Sequence, residues 1–329
     1  MRVAFVIPGD PLTISGGYGY DRAIIDELRA AGHEVAVFAP ETIDDMPTES
    51  RIVVDGLGLP ALADRQDWFV ERGAIGLIHH PTALETGHDD ATREHLIALE
   101  KSLFARLKKL IVTSQATADR LAAEFGVAPE HIEIVVPGTP DAPRAAGSGG
   151  PGCEILSVGA LVPRKGHDLL LRALARLFDL DWHLTIVGDA TRNPLHARAL
   201  VALAEELKIT ARVRFAGEVT PEALEALWRG ADVFALATHF EGYGMAIAEA
   251  LKRGLPVAVT SGGAAGALVS PEAGAVVTPG DHNTLSKSLR RMIFDTRLRR
   301  AMADAAWHIG QTLPDWQAQA VKFAAAIGN

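Results

Sequence analysis

The chain has 329 residues, a formal net charge of −9, 48% hydrophobic and 22% charged residues, and a single cysteine, Cys153. That length predicts two domains, and the composition excludes a disordered chain. One cysteine excludes an intrachain disulfide framework and a four-cysteine zinc site and fits a reducing, cytoplasmic setting; net acidity and 6% aromatics argue against a nucleic-acid binder.

The opening MRVAFVIPGD holds only a five-residue apolar run, and no run of about 18 apolar residues follows. No signal peptide or transmembrane segment is therefore expected, while peripheral membrane contact stays open. Val3–Ile7 is a continuous apolar run that predicts a strand buried on both faces. Gly16 and Gly17 follow in a loop, and Arg22–Ala31 carries helical spacing that stops at Gly32. Strands are predicted at Glu34–Phe38, Arg51–Val54, Ala74–Ile78, Leu110–Thr113 and Ile132–Val136, with helices over Asp89–Arg106 and Ala116–Phe125. This alternation predicts a parallel sheet covered by helices on both faces.

Pro140–Gly152 (PDAPRAAGSGGPG) has no periodicity and reads as a linker. A second strand–helix series then begins. Its strands are predicted at Ile155–Val158, Leu184–Val187, Val213–Phe215, Val233–Ala235 and Val257–Val259, with one more near Val276. Helices are predicted at Asp168–Phe178, Leu195–Leu207, Pro221–Arg229, Met245–Arg253, Asn283–Phe294, Leu298–Ile309 and Asp315–Ile327. The fold class is therefore α/β, with two doubly wound, Rossmann-like domains facing a central cleft. The division is a first domain over 1–142, a linker over 143–152, a second domain over 153–310, and a last helix over 311–329. Ligands of such sheets bind outside the carboxyl ends of the strands, so functional motifs belong in the strand-to-helix loops.

The sharpest motif runs from His239 to Ala250, HFEGYGMAIAEA. Gly242 and Gly244 open the backbone to a ligand, and the helix start beyond them is a phosphate site. Were Glu241 and Glu249 on one helix, their eight-residue spacing would separate them by about 12 Å along its axis. Such a pair cannot share a proton but can hold hydroxyls at the two ends of an extended ligand, as a nucleotide sugar requires. A second motif, Val158–His167 (VGALVPRKGH), places Arg164 and Lys165 in one strand-to-helix loop, donors suited to a diphosphate.

The Glu241–Glu249 segment resembles the signature of glycosyltransferase family 4, a retaining group 1 family of the two-Rossmann, GT-B type, which implies that the last helix, 311–329, crosses back to the first domain. That family carries a glutamate, seven residues and a second glutamate, with Gly-aromatic-Gly after the first, and this sequence matches each position. The resemblance implies that Glu241 contacts the donor sugar and Glu249 the ribose. It implies that Gly242, Tyr243, Gly244 and Met245 line sugar and phosphate, and that Lys165, with Arg164, holds the diphosphate. Many members carry an arginine where this chain has Ala160, so that phosphate contact is either lost or moved to Arg164. Gly16 and Gly17 match a glycine pair that brings backbone N–H groups to the diphosphate. Gly188 matches a glycine beside the nucleotide, and Glu218 a residue lining the base.

The family also places a histidine near the reacting sugar. His79 and His80 both end a predicted strand, and His80, preceding Pro81, is favoured; Glu85, Thr86 and Gly87 follow on the acceptor side. The implied reaction is metal-independent transfer from a nucleotide-diphosphate sugar to a carbohydrate or lipid-linked acceptor, with Glu241, Lys165 and His80 as the catalytic set and no cofactor. Two alternatives are a sugar-nucleotide epimerase of the same fold and a non-catalytic sugar-nucleotide-binding protein. The missing GxGxxG fingerprint disfavours a nicotinamide dehydrogenase.

Overall fold

The structure is a computed structural model and describes residues 1–85 and 87–328; Thr86 lies outside the described residues. The chain forms two compact units: Met1–Gly138 with the segment from Pro314 onward, and Thr139–Leu313.

The first unit has six strands: β1 (Arg2–Val6), β2 (Glu34–Phe38), β3 (Arg51–Asp55), β4 (Ile75–Ile78), β5 (Lys109–Val112) and β6 (Ile132–Ile134). They form one sheet in the order β2-β1-β3-β4-β5-β6, and every pairing is parallel. Alternate residues of β1 feed opposite faces. Val3, Phe5 and Ile7 pack with Ile24, Leu28 and Phe323, whereas Ala4 and Val6 pack with Leu103, Phe104 and Leu121. That two-sided burial is why β1 reads as an unbroken apolar run, while the outer strands β2 and β6 are largely exposed. Four helices of the first 138 residues cover the sheet: α1 (Gly16–Ala30), α2 (Gln66–Arg72), α3 (Asp90–Phe104) and α4 (Gln115–Phe125).

Helix α1 starts six residues before the predicted Arg22, so Gly16 and Gly17 form its first turn rather than a loop. Ser15 explains the early start: its Oγ accepts the Tyr18 N–H at 3.2 Å. The buried stripe Tyr20, Asp21, Ile24, Ile25 and Leu28 then holds the helix on the sheet, which outweighs the poor helix propensity of glycine.

The second unit also has six strands: β7 (Cys153–Val158), β8 (Trp182–Val187), β9 (Val213–Gly217), β10 (Val233–Leu236), β11 (Val257–Thr260) and β12 (Gly274–Val277). Their order is β12-β11-β10-β7-β8-β9, again all parallel. Helices α5 (His167–Ala175), α6 (Pro194–Glu206), α7 (Pro221–Gly230), α8 (Met245–Lys252), α9 (His282–Phe294) and α10 (Thr296–Thr312) cover it. Val233 and Ala235 of β10 face Leu170, Leu174 and Leu289, while Phe234 and Leu236 face Trp228, Ile247 and Leu251.

The segment read as a linker bonds to the second unit. Ala145 N–H bonds Arg253 O at 2.9 Å, Ala146 N–H bonds Arg229 O at 2.9 Å, and Lys252 pairs with Asp141 at 2.8 Å. The division by contacts accordingly falls at Gly138/Thr139, ahead of this segment, and again at Leu313/Pro314. The last helix, α11 (Trp316–Gly328), belongs to the first unit, where Trp316 meets Tyr20 edge-on at 5.5 Å between ring centroids and Phe323 stacks on Phe5 at 5.8 Å. No helix among the described residues is long and apolar enough to cross a membrane.

Candidate active site

In each sheet, the order of strands reverses at one point: between β1 and β3 in the first unit, and between β7 and β10 in the second. Successive loops leave in opposite directions there, which opens a crevice at the carboxyl ends of those strands. The ionisable clusters of both units lie at these points.

In the second unit, the loop after β7 carries Arg164 and Lys165, and the loop after β10 carries Thr238 to Gly244. The backbone joins the two loops through His239 N–H to Arg164 O at 2.7 Å. Lys165 Nζ donates to Glu241 Oε1 at 2.7 Å, and Arg164 Nη1 lies 3.8 Å from the same oxygen while donating to Phe240 O at 2.7 Å. Thr238 Oγ1 stands 3.0 Å from each of Glu241 Oε1, Arg164 O and Phe240 O, so its single proton serves one of three acceptors. The Glu241 side chain is only 8% exposed and that of Lys165 16%. Burial pushes the Glu241 carboxyl up, but the Lys165 and Arg164 charges, with hydrogen bonds from Lys165 and Thr238, hold it below its ordinary value. Glu241 is therefore an anion at neutral pH.

Glu241 is not helical. Its N–H bonds Gly262 O at 3.1 Å and its C=O accepts Ala264 N–H at 2.9 Å, a strand-like bridge that the helical-spacing estimate did not contain. Only the later part of the motif is helix. Gly244 sits at φ +103°, a left-handed conformation that favours glycine, and turns the chain into α8 with no side-chain cap. The N–H groups of Met245 and Ala246 at the head of α8 have no acceptor among the described residues. Tyr243 is buried, and burial pushes its hydroxyl up to about 12.

Glu249 lies one turn into α8, away from the lysine. Burial raises its carboxyl above the ordinary value; Arg253 opposes this and Glu225 adds to it. Arg253 pairs with Glu225 at 2.7 Å and reaches only the backbone O of Glu249, at 3.2 Å. The Glu249 carboxyl has no hydrogen-bond partner among the described residues.

Other predicted residues fall outside this cluster. Gly188 follows β8, and a Cβ there would meet Gly159 O at 2.0 Å, so close packing just beyond two strand ends already requires glycine. Glu218 follows the edge strand β9 and is exposed.

In the first unit, Asp21 on α1, Asp55 at the end of β3 and His79 just after β4 converge. His79 Nε2 lies 2.9 Å from Asp21 Oδ1 and 3.6 Å from Asp55 Oδ2. His79, rather than the favoured His80, meets this carboxylate pair; His80 Nε2 lies 3.8 Å from Glu85 Oε1 instead. Sequence reading missed Asp21 and Asp55, although each interrupts an apolar pattern: Asp21 within the stripe of α1, Asp55 at the end of RIVVD. It also missed Thr238 and the buried Thr260, whose hydroxyl donates to Thr238 O.

Residues 143–308 match the family model described as Glycosyl transferases group 1, half of the chain. The chain belongs to the group 1 glycosyl transferases. A D-inositol 3-phosphate glycosyltransferase of Salinispora arenicola (strain CNS-205) is 29% identical over 281 residues, covering 74% of this chain and 62% of the relative. An MMP alpha-(1->4)-mannosyltransferase of Mycolicibacterium hassiacum is 27% identical over 263 residues, 75% of this chain and 63% of the relative. The chain thus spans about three fifths of the length of these curated relatives. Among solved structures, a sucrose-phosphate synthase from Thermosynechococcus elongatus superposes with a TM-score of 0.83 at 20% identity, covering 98% of this chain and 97% of that one. HepE of Anabaena in complex with UDP-glucose gives 0.79 at 19% identity, covering 100% and 99%. These likenesses establish the fold, GT-B, for this group 1 glycosyl transferase.

Proposed function

We propose that the chain is a retaining family 4 glycosyltransferase that moves a sugar from a nucleotide-diphosphate sugar to a hydroxyl of a carbohydrate or lipid-linked acceptor, in the cytoplasm. The observation that carries this reading is the Lys165–Glu241 pair, held at the strand-order reversal beside the head of α8.

The donor's diphosphate would take hydrogen bonds from Lys165, from Arg164 and from the N–H groups of Met245 and Ala246. All are donors in place before the reaction, where charge develops on the leaving phosphate. Glu241, relieved of part of its contact with Lys165, would accept from a hydroxyl of the donor sugar. Glu249, without a partner of its own, would accept from the ribose, and Glu218 and Gly188 would flank the base and nucleotide. In the first unit, Gly16 and Gly17 at the head of α1 would offer N–H groups to an anionic group, and His79 would stand where the sequence favoured His80.

Glu241 is engaged by Lys165 and Thr238, which supports a route without a covalent glycosyl-enzyme. The acceptor oxygen bonds the anomeric carbon on the face from which the diphosphate leaves; the sugar–phosphate bond breaks, and a departing phosphate oxygen takes the acceptor proton. The groups named neutralise the diphosphate without a metal ion, so turnover should persist in excess EDTA.

A thermal-shift panel of UDP-, GDP- and ADP-sugars tests the reading, beginning with UDP-glucose, the ligand of HepE. A donor at about 100 times its Kd should stabilise the protein by about 2.7 kcal/mol. Sugar release should require an acceptor, with D-inositol 3-phosphate the first candidate because the Salinispora relative is named for it. Conversion of the donor sugar with no acceptor present would replace transfer by epimerisation.

A further inference from the structure

The first unit buries two carboxylates against one imidazole. Asp21 is 1% exposed and Asp55 2%, and one carboxylate oxygen of each and a ring nitrogen of His79 all lie within 4.8 Å of one another. Asp55 Oδ1 accepts the Leu57 N–H at 2.7 Å, whereas Asp55 Oδ2 and Asp21 Oδ2 are buried and meet no hydrogen-bond donor. Two full negative charges with one positive would leave a net charge in a nearly dry site, a costly arrangement.

We propose that Asp55 is held as the neutral acid, Asp21 as the anion and His79 as the imidazolium. In this fixed arrangement of two protons among three bases, the carboxylates position His79 and set its charge. The net charge of the cluster is then zero. The proton on Asp55 is the donor that Asp55 Oδ2 and Asp21 Oδ2 otherwise lack, and the Nε2–H of His79 is the 2.9 Å hydrogen bond to Asp21.

The surroundings agree with this assignment. Burial and the neighbouring Asp21 charge push Asp55 up to about 8, which keeps it protonated at neutral pH. Burial alone would neutralise His79, but the Asp21 charge and hydrogen bond hold it above its ordinary value. The ring is wedged in place: its Cδ2 lies 3.1 Å from the position a Cβ would take on Gly17, and Tyr20 meets it edge-on at 5.2 Å. The charged or titratable groups facing it are Asp21 and Tyr20 from α1 and Asp55 from β3; burial pushes the Tyr20 hydroxyl well up, so it stays neutral. Both carboxylates meet Nε2, which leaves Nδ1–H as a cationic donor for the anionic part of a ligand. That such a ligand is anionic comes from the functional reading above, whereas the test reads the protein alone, so the two can fail separately.

The test is a titration of the imidazole nitrogens by NMR in histidine-labelled protein, with His79 assigned from its absence in His79→Gln. In the wild type, His79 should carry protons on both nitrogens at pH 7 and lose one only at a higher pH than a free imidazole does. Asp21→Asn should abolish that shift. Asp55→Asn, whose amide mimics a neutral acid, should leave His79 doubly protonated at pH 7. A singly protonated wild-type His79 at pH 7 would overturn the proposal without any variant. So would an Asp55→Asn protein in which His79 deprotonates as readily as in Asp21→Asn, since both carboxylates would then be charged. Stoichiometric displacement of the His79 signals by Zn²⁺ or Mn²⁺, lost in Asp21→Asn, would make the cluster a cation site instead.

Discussion

Lys165 Nζ and Glu241 Oε1 are 2.7 Å apart although 76 residues separate them in sequence. They meet because β7 and β10, which precede their loops, are neighbours in the sheet. Removing one partner strands a buried charge on the other. Lys165→Met should therefore destabilise the second unit by about 3 kcal/mol, and the double variant Lys165→Met/Glu241→Gln should recover most of that loss. Turnover should stay depressed in both by about 100-fold or more, because neither restores the phosphate contact. Urea unfolding and initial-rate measurements on the three proteins separate the two roles.

The same pair sets an acid limit. Glu241 is held below its ordinary value in the folded state, so its contribution to stability is present above the unfolded carboxyl range, near pH 4.5, and is lost as pH falls through the lower folded value. The wild-type advantage over Glu241→Gln in urea midpoint should be full at pH 7 and shrink below about pH 4.5.

Asp55 behaves in the opposite sense. A carboxyl raised to about 8 when folded contributes stability below its unfolded value, near pH 4, and loses it as pH rises toward about 8. Between these limits the wild type should lose stability relative to Asp55→Asn, at a slope approaching about 1.4 kcal/mol per pH unit. Urea unfolding of both proteins at pH 5 and pH 7.5 reads this directly.

His167, buried at the start of α5, supplies an internal contrast to His79. Burial lowers its imidazole to about 4, and its Nε2–H donates to Gly159 O at 3.2 Å. Its NMR signals should report a neutral ring down to about pH 4, while the unfolded ring charges near 6.5. The stability it contributes is therefore complete above about pH 6.5 and is lost as pH falls toward about 4.

Glu249→Ala tests the second glutamate. With no partner of its own to lose, the variant should fold as well as the wild type and bind a nucleotide sugar about tenfold more weakly by calorimetry, one lost hydroxyl contact to a charged acceptor.

The strands were legible because those at the centre of each sheet, such as Val3–Val6 and Val233–Leu236, are buried on both faces and so read as apolar runs. The Lys165 and Glu241 motifs were legible because loops at strand ends carry chemistry in short contiguous runs. What pairs with what was not. The start of α1 depended on one serine hydroxyl, the anchoring of Pro140–Gly152 on backbone bonds to Arg229 and Arg253, and the choice of His79 on carboxylates 58 and 24 positions away, at Asp21 and Asp55. Such contacts leave no periodicity to read. Their only trace is a polar residue where an apolar one is expected.

Calorimetric titration of UDP-glucose into the wild type and Lys165→Met at neutral pH tests the central claim most directly. Saturable 1:1 binding to the wild type, weakened at least tenfold in Lys165→Met, is the expected result. Equal affinity in the two proteins, with both folded, would contradict the assignment of the Lys165–Glu241 site to the donor diphosphate.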